Sequence, residues 1–198
     1  MKTQIRPLLG IFALLVLIIG VFYPLTVTGI AQLFFPYQAN GSLIRVNGQV
    51  LGSELIGQDF SGPEYFWGRP SATSSHPYNA YDQDSLTGSS GSNLGPLSKE
   101  LVENVEKQIK VIKSYDPENT NLIPVDLVTT SASGLDPNIS ISAAYYQVPR
   151  IARERGLDES TVFSLVDQFT EARQFGILGE PRVNVLLLNL ALEGIKLR

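Results

Sequence analysis

The first part of the chain carries one long apolar stretch. No Asp, Glu, Lys, Arg or His occurs between Arg6 and Arg45, and residues 8–23 read LLGIFALLVLIIGVFY. A helix needs about 20 mainly apolar residues to cross a hydrocarbon layer about 30 Å thick. The pattern therefore predicts a transmembrane helix over residues 7–35, long enough to project beyond the bilayer.

Two basic residues, Lys2 and Arg6, precede this apolar run. The positive-inside rule then places residues 1–6 in the cytoplasm and residues 36–198 outside the cell membrane. A cleaved signal peptide also begins with basic residues and an apolar core, and it is the alternative interpretation. The length of the run and the absence of a clear A-x-A cleavage site favour an uncleaved, single-pass anchor.

Proline and glycine interrupt the predicted anchor. Pro24 lacks a backbone N–H, and its ring meets the carbonyl of Gly20, which predicts a kink near this position. Gly20 and Gly29 offer small surfaces on which a second membrane helix could pack closely. Glycine and proline are also common in membrane helices in general. The three residues are therefore candidates for helix packing.

Beyond the anchor, apolar and polar residues alternate as expected for short strands. Residues 42–46 and 49–51 flank the pair Asn47-Gly48. This pair suits a two-residue turn between antiparallel strands, because both turn positions take positive φ. The pattern predicts a β-hairpin at the start of the second part of the chain.

Several segments farther along the chain show regular spacing. Residues 99–115 carry apolar side chains three or four positions apart, which predicts an amphipathic helix. Residues 122–128, LIPVDLV, predict a short strand. Residues 158–170 predict another helix, with Asp158 as its N-cap.

The pair Asp136-Pro137 is typical of a helix N-terminus, with the aspartate as cap and the proline in the first turn. It predicts a helix to residue 147, interrupted by Pro149 and followed by a further turn to residue 155. Residues 183–197 fit either a buried strand or a helix, and a helix capped by Asn184 is the preferred interpretation. The fold class is thus α/β: one N-terminal transmembrane helix and one small mixed α/β extracytoplasmic domain, residues 36–198.

Residues 60–97 form an unusually long segment rich in Gly, Ser, Pro and Asn. Loops of this length inside compact domains are usually functional or disordered. Six aromatic residues lie in it, whereas disordered segments are poor in aromatic residues. We expect an ordered loop that packs on the domain or on a partner.

Composition and charge exclude several kinds of chemistry. The chain has no cysteine and one histidine, His76, which excludes a thiolate zinc site, a histidine-rich metal site and a cysteine nucleophile. After Arg6 there are 13 basic and 19 acidic residues, a net charge of −6. An acidic domain without a basic stripe gives nucleic acid no electrostatic footprint.

The common catalytic motifs are also missing from the sequence. It contains no phosphate-binding G-x-x-x-x-G-K, no G-x-S-x-G elbow and no H-E-x-x-H. A surface role is the simpler interpretation of His76, and a solvated loop that of Asp82 and Asp84, which lack the spacing of a calcium loop. We therefore expect no catalytic residue and no metal site.

A series of short motifs follows along almost the whole chain, in one order. The series comprises Tyr23-Pro24, Gly29-Ile30-Ala31-Gln32, Gln38-Ala39-Asn40-Gly41-Ser42, Ser53-Glu54-Leu55-Ile56-Gly57-Gln58, Tyr65-Phe66, Arg69-Pro70-Ser71, Tyr78-Asn79, Gly91-Ser92-Asn93-Leu94-Gly95, Ser133-Gly134-Leu135-Asp136-Pro137, Tyr146-Gln147, Arg150-Ile151-Ala152, Arg155-Gly156, Val183-Asn184-Val185-Leu186 and Leu188-Asn189-Leu190. With these motifs the sequence resembles the C subunit of the Kdp-type potassium-transporting ATPase, a multisubunit P-type pump.

The resemblance implies an accessory, non-catalytic subunit without a cofactor of its own, so that ATP would act only through the complex. The implied partners are a channel-like potassium-selecting subunit, an ATP-hydrolysing subunit and a small membrane subunit. The family is described as a catalytic chaperone that raises the nucleotide affinity of the hydrolysing subunit, and its proposed nucleotide-contacting glutamine corresponds to Gln147. Candidate partner contacts in the matching motifs are Arg69, Pro70, Ser71, Tyr78, Asn79, Ser133, Gly134 and Asp136.

The predicted topology favours a second mechanism. If Lys2 and Arg6 lie inside the cell, Gln147 lies outside, where ATP is scarce. The domain would then dock over the potassium entrance of the channel-like subunit, stabilise the assembly and shape ion access. Two alternatives from other classes are an anchored receptor or sensor and an anchored enzyme, each independent of a pump.

Overall fold

The computed structural model describes residues 2–73, 75–84 and 87–195. Its N-terminal part is helical: α1 spans Lys2–Leu17, a π-helical turn spans Ile18–Phe22, and α2 spans Tyr23–Phe34. A short helix, α3, covers Pro36–Ala39. Residues Gln4–Phe34 form one continuous helical run of 31 residues, and its most apolar 18-residue window has a mean hydropathy of 2.7; the run is long and apolar enough to cross a membrane.

The disturbance expected near Pro24 takes the form of the π-helical turn. The Tyr23 N–H bonds to the carbonyl of Ile18, five residues back, and Gly20 lies in the middle of the turn. Wide turns of this kind are a known way to accommodate a break in the α-helical ladder. The helix therefore leaves regular α geometry in the turn that immediately precedes the proline.

The chain divides into two compact units, of which the first ends at Leu43 and the second begins at Ile44. The second unit is the small mixed α/β domain that the sequence predicted. The predicted hairpin begins at the boundary, where β1 (Leu43–Val46) pairs with β2 (Gln49–Ser53). Asn47 and Gly48 have φ of 51° and 82°, which confirms the expected turn conformation.

A second short hairpin lies within the long loop, where β3 (Tyr81–Asp82) pairs with β4 (Thr87–Gly88). Helix α4 then covers Lys99–Tyr115, as predicted. Of its apolar stripe Ile112 is buried, whereas Leu101 is only half-buried.

The centre of the domain is a three-stranded antiparallel sheet in the order β5-β7-β6. These strands are β5 (Asn138–Ser140), β7 (Arg182–Asn184) and β6 (Thr170–Glu171). Helices α5 (Ile141–Arg155), α6 (Glu159–Gln168) and α7 (Val185–Leu192) complete the domain. α5 packs against α6 and against the sheet, and the buried side chains of these elements form the core.

Two predictions for the middle of the chain were wrong. Residues 122–128 do not form a strand, and Val125–Leu127 is a single 3-10 turn that follows Pro124. The helix does not begin at Asp136-Pro137 either, because residues 138–140 pair with β7 and form a strand. Asp136 instead accepts a hydrogen bond from the Asn138 N–H at 3.0 Å.

The observed N-cap of α5 is Ser140, whose Oγ accepts a hydrogen bond from the Ala143 N–H at 3.0 Å. The predicted interruption at Pro149 was also wrong, because α5 continues through it to Arg155. Val148 and Ile151, on either side of the proline, have no exposed surface. Their packing outweighs the single hydrogen bond that the proline removes.

The two interpretations of residues 183–197 each hold for part of the segment. Residues 183 and 184 belong to β7, and the helix begins at Val185 and ends at Leu192. Asn184 is its N-cap as predicted, with Oδ1 accepting from the Leu187 N–H at 3.1 Å. Residues 196 and 197 lie outside the described residues.

Candidate functional site

The beginning of the long loop, residues 62–69, passes through the core of the domain, and we call it the core-crossing segment. Phe66 is fully buried and Trp67 is 9% exposed. Asn189 of α7 pairs with Phe66: its Oδ1 accepts from the Phe66 N–H and its Nδ2 donates to the Phe66 carbonyl, both at 2.9 Å. Gln147 of α5 does the same for Trp67, at 2.8 and 3.1 Å.

The side-chain amides of Asn189 and Gln147 form the hydrogen bonds that a neighbouring strand would otherwise provide to the buried backbone of Phe66 and Trp67. Gln147 has no capacity left, because its Oε1 also accepts from Arg150 Nη2 at 2.8 Å and its Nε2 also donates to the Ala143 carbonyl at 3.2 Å. An amide offers two donors and one oxygen with two lone pairs. All four positions are used within the fold.

Two arginines of α5 also contact the core-crossing segment, through its backbone carbonyls and its aromatic rings. The Arg150 guanidinium lies 4.1 Å from the centre of the Trp67 ring and donates to the carbonyls of Pro63 and Tyr65. Burial lowers the pKa of Arg150 to about 10, so it stays charged at neutral pH. Arg155 lies 4.9 Å from the Tyr65 ring, and its Nε donates to the carbonyl of residue 64 at 2.7 Å.

The candidate partner contacts from three separate motifs come together, and we call residues 69–71, 78–79 and 133–136 the loop junction. Arg69 Nη1 lies 3.5 Å from Asp136 Oδ2. Ser71 Oγ donates to the Gly134 carbonyl at 2.7 Å and accepts from the Tyr78 N–H at 2.9 Å. The loop is thus folded back onto the turn that precedes β5.

The other members of the junction have local roles. Ser133 Oγ accepts from the Leu135 N–H at 3.2 Å. Asn79 is 8% exposed, and its N–H bonds to Thr73 Oγ1 at 3.1 Å. Pro70 lines the neighbouring cleft.

Tyr78 occupies a slot between two glycines. A Cβ on Gly57 would lie 2.3 Å from the Tyr78 ring, and a Cβ on Gly68 would lie 2.4 Å from its hydroxyl. The hydroxyl donates to the Arg69 carbonyl at 2.6 Å. Burial raises the pKa of Tyr78 well above its ordinary value, and the nearby Asp136 carboxylate raises it further.

A cleft of about 830 Å³ lies between α4 and the loop junction. Its walls include Trp67, Arg69, Lys107 and Tyr115, and the rings of Trp67 and Tyr115 meet edge to face at 5.3 Å. Arg69 also borders a depression of about 530 Å³ beside Asp136. Its Nε is buried and has no hydrogen-bond partner among the described residues.

The remaining candidates show no such clustering. Within the described residues no group of three His, Cys, Asp or Glu side chains is placed to hold a metal ion. His76 is exposed, and Asp82 accepts from the Asp84 N–H at 2.9 Å. A Cβ on Gly29 would meet no atom within 4 Å, and one on Gly20 would meet only Val16 of the same helix.

Sequence reasoning placed Asn189 and Arg150 in the family motifs but gave neither residue a structural role. A signal for Asn189 was present, because it is the one polar residue in the helix sequence VLLLNLAL. A polar residue in a buried apolar helix must be hydrogen-bonded. Nothing in the local sequence indicates that its partner is residue 66.

The fold and this site define a class of protein. It has a long apolar helix, consistent with membrane anchoring, and a small α/β domain whose long loop is held to the core by hydrogen bonds from two buried side-chain amides. Residues 5–194 match the family described as KdpC, the K+-transporting ATPase c chain. The chain therefore belongs to the KdpC family.

Similar proteins cover the chain from end to end. The potassium-transporting ATPase KdpC subunit of Dechloromonas aromatica is 56% identical over 195 residues, which is 98% of this chain and 99% of the relative. The KdpC subunit of Herminiimonas arsenicoxydans is 55% identical, with 98% of each chain covered. That of Methylococcus capsulatus is 54% identical, over 99% of this chain and all of the relative.

Proposed function

We propose that this chain is the accessory subunit of an ATP-driven potassium importer and stabilises the assembled pump. Its partners are the channel-like potassium-selecting subunit, the ATP-hydrolysing subunit and the small membrane subunit. The observation that carries the proposal is the extent of the family match, from residue 5 in the apolar helix to residue 194 beyond α7.

The helix is the membrane anchor, with its N-terminus in the cytoplasm and the α/β domain outside. The supporting observation is the charge distribution, because Lys2 and Arg6 precede the helix and the next basic residue is Arg45. Gly20, Pro24 and Gly29 are the positions at which the helix packs beside those of its partners.

The α/β domain docks over the potassium entrance of the channel-like subunit through the loop junction. Arg69 supports this role, since its side chain is 26% exposed and borders an open cleft. A carbonyl or carboxylate of the partner would bond to the exposed part of the guanidinium. The net charge of −6 favours cations near the entrance, an effect that physiological salt weakens.

Contact of Gln147 with nucleotide is the alternative role that the family description suggests. The geometry favours a structural role instead, because the side chain is 3% exposed and all four of its hydrogen-bonding positions are occupied. An ATP molecule would have to displace those bonds. ATP therefore acts on this subunit only through the complex.

A labelling experiment tests the orientation. The chain has no natural cysteine, so Leu97→Cys, at a position that is 97% exposed, introduces one accessible thiol. We expect an impermeant maleimide to label it in intact cells, and to label Gln4→Cys only after lysis. Labelling of residue 97 only after lysis would contradict the orientation and restore the nucleotide role.

Substitution at the loop junction tests the docking. Arg69→Gln removes the guanidinium, and the matched control Arg45→Gln changes an exposed arginine of β1. We expect Arg69→Gln to lower the yield of co-purified pump subunits or the apparent potassium affinity, and Arg45→Gln to change neither. Equal assembly and equal affinity for a folded Arg69→Gln variant would remove the loop junction from this role.

A further inference from the structure

Two Asn-Gly pairs occur in the chain, Asn40-Gly41 and Asn47-Gly48. An asparagine before glycine is prone to lose its side-chain amide, because glycine has no Cβ to keep its backbone nitrogen away from the amide carbon. Both asparagines are exposed, so access to water does not distinguish the two pairs. Their hydrogen bonds do distinguish them.

Asn40 is held in place by its neighbours. Its Nδ2 donates to the Pro36 carbonyl at 2.6 Å and to Gln32 Oε1 at 3.1 Å, and its Oδ1 accepts from Gln32 Nε2 at 3.3 Å. The Gly41 nitrogen, which would have to attack the amide carbon, donates its N–H to the Gln38 carbonyl at 3.0 Å. Reaction at this pair requires that these bonds break first.

Asn47 is not held by contacts of this kind. In the described ranges its side chain has no hydrogen-bond partner, and the Gly48 N–H has no acceptor. A Cβ on Gly48 would meet no atom within 4 Å, so open space surrounds the turn. The turn joins β1 and β2, which form a sheet of only two strands, and such a hairpin gains little stability from its own pairing. The turn can therefore rearrange at little cost.

We propose that Asn47 is a site of spontaneous deamidation in the folded protein, and that the hydrogen bonds of Asn40 protect the other Asn-Gly pair. The Gly48 nitrogen attacks Asn47 Cγ, a C–N bond closes a five-membered succinimide, and the side-chain nitrogen leaves as ammonia with the proton of the Gly48 N–H. Water then adds to one of the two imide carbonyls and opens the ring. The net change consumes one water, releases one ammonia and involves no oxidant or reductant.

The two products affect the hairpin differently. Opening at one carbonyl gives aspartate, and Asp-Gly suits the same two-residue turn as Asn-Gly. Opening at the other carbonyl gives isoaspartate, which inserts a methylene group into the backbone between residues 47 and 48. The longer backbone no longer matches the twist of the flanking strands, so the isoaspartate form should lose the hairpin. Either product adds one negative charge to a domain that is already acidic.

Peptide mass spectrometry of the aged protein tests this inference. The full chain in detergent micelles is incubated in mildly alkaline buffer made with ¹⁸O-water, so that only residues hydrolysed during the incubation gain the heavy oxygen. Chymotryptic cleavage after Tyr37, Leu43 and Leu51 separates the two pairs into the peptides QANGSL and IRVNGQVL. We expect Asn47 to deamidate at least fivefold faster than Asn40. Synthetic QANGSL and IRVNGQVL, which lack the contacts of the folded chain, are the controls and should deamidate at rates within twofold of each other.

A second variant tests the protection directly. Gln32→Leu removes both bonds of the amide pair, and it should raise the rate at Asn40 at least twofold while the rate at Asn47 stays unchanged. Equal rates at the two asparagines in the folded natural chain would overturn the inference, as would a fivefold difference that is already present in the two peptides. An unchanged rate at Asn40 in Gln32→Leu would also contradict it, because the amide pair would then not be the cause of the protection.

Discussion

Replacing Gln147 by leucine separates a structural role of this residue from a ligand-binding role. Leucine has a similar size, so the change removes hydrogen bonds without opening a large cavity. The Trp67 N–H and C=O both lose their partner, and Arg150 loses one acceptor. The Ala143 carbonyl keeps its place in the ladder of α5.

Each unpaired buried polar group costs about 1–3 kcal/mol. The two groups of Trp67 therefore give a loss of about 2–6 kcal/mol, and the lost bond from the charged guanidinium adds to it, which places the expected value in the upper half of that range. Small domains are stable by about 5–15 kcal/mol in total. The substitution should therefore remove a large fraction of the free energy of unfolding.

The assay is urea unfolding of the full chain in detergent micelles. Trp67 is the only tryptophan, so its fluorescence reports directly on the core-crossing segment. Gln168→Leu, at the exposed end of α6, is the matched control and should change the stability by less than about 0.5 kcal/mol. A Gln147→Leu variant as stable as the natural chain would refute the reasoning, and lower ATP affinity of its pump would then point to direct nucleotide contact.

Three further predictions concern the same domain. Gly68→Ala should lower the free energy of unfolding by about 1–3 kcal/mol, because its Cβ would lie 2.4 Å from the Tyr78 hydroxyl. Gly95→Ala, whose Cβ would meet no atom within 4 Å, should leave it unchanged, and thermal unfolding of both variants measures the difference. Asn184→Ala should cost about 1–2 kcal/mol by urea unfolding, because it removes the cap of α7. The hydrogen bond from Arg155 lowers the pKa of Glu193 below its ordinary value of 4.5, so this carboxylate adds stability above pH 4.5 that is lost as the pH falls through the lowered pKa. The Glu193→Gln variant should therefore be less stable than the natural chain at pH 7, by at most about 1 kcal/mol because the carboxylate is exposed. The difference in stability should vanish in acid, and a difference that grows in acid would contradict the assignment.

Local chemistry was enough to predict some elements. The hairpin at Asn47-Gly48 follows from the turn itself, since few other pairs accept positive φ at both positions. Helix α4 follows from its own spacing and ends where predicted, at Tyr115. Both are surface elements whose conformation depends on residues close in the sequence.

Other elements depend on partners far away in the chain. Residues 138–140 have a good helix-starting pair just before them, yet they form a strand because β7, more than 40 residues later, pairs with them. The helix start moves to Ser140 for that reason. The candidate loop residues came from ordered motifs, but their meeting at the loop junction and the clamping of Phe66 depend on contacts of up to 123 residues' separation. No local pattern contains that information.

The hydrogen bonds of Gln147 explain how a structural role of this residue could also affect ATP affinity. Gln147 fixes the backbone of Trp67, and Arg69 follows only two residues later at the wall of the cleft. A change at Gln147 would therefore displace the loop junction even if no nucleotide ever approached it. Altered ATP affinity in such a variant is consistent with a changed docking surface, so only a variant that is measured to be fully stable can assign the effect to direct contact.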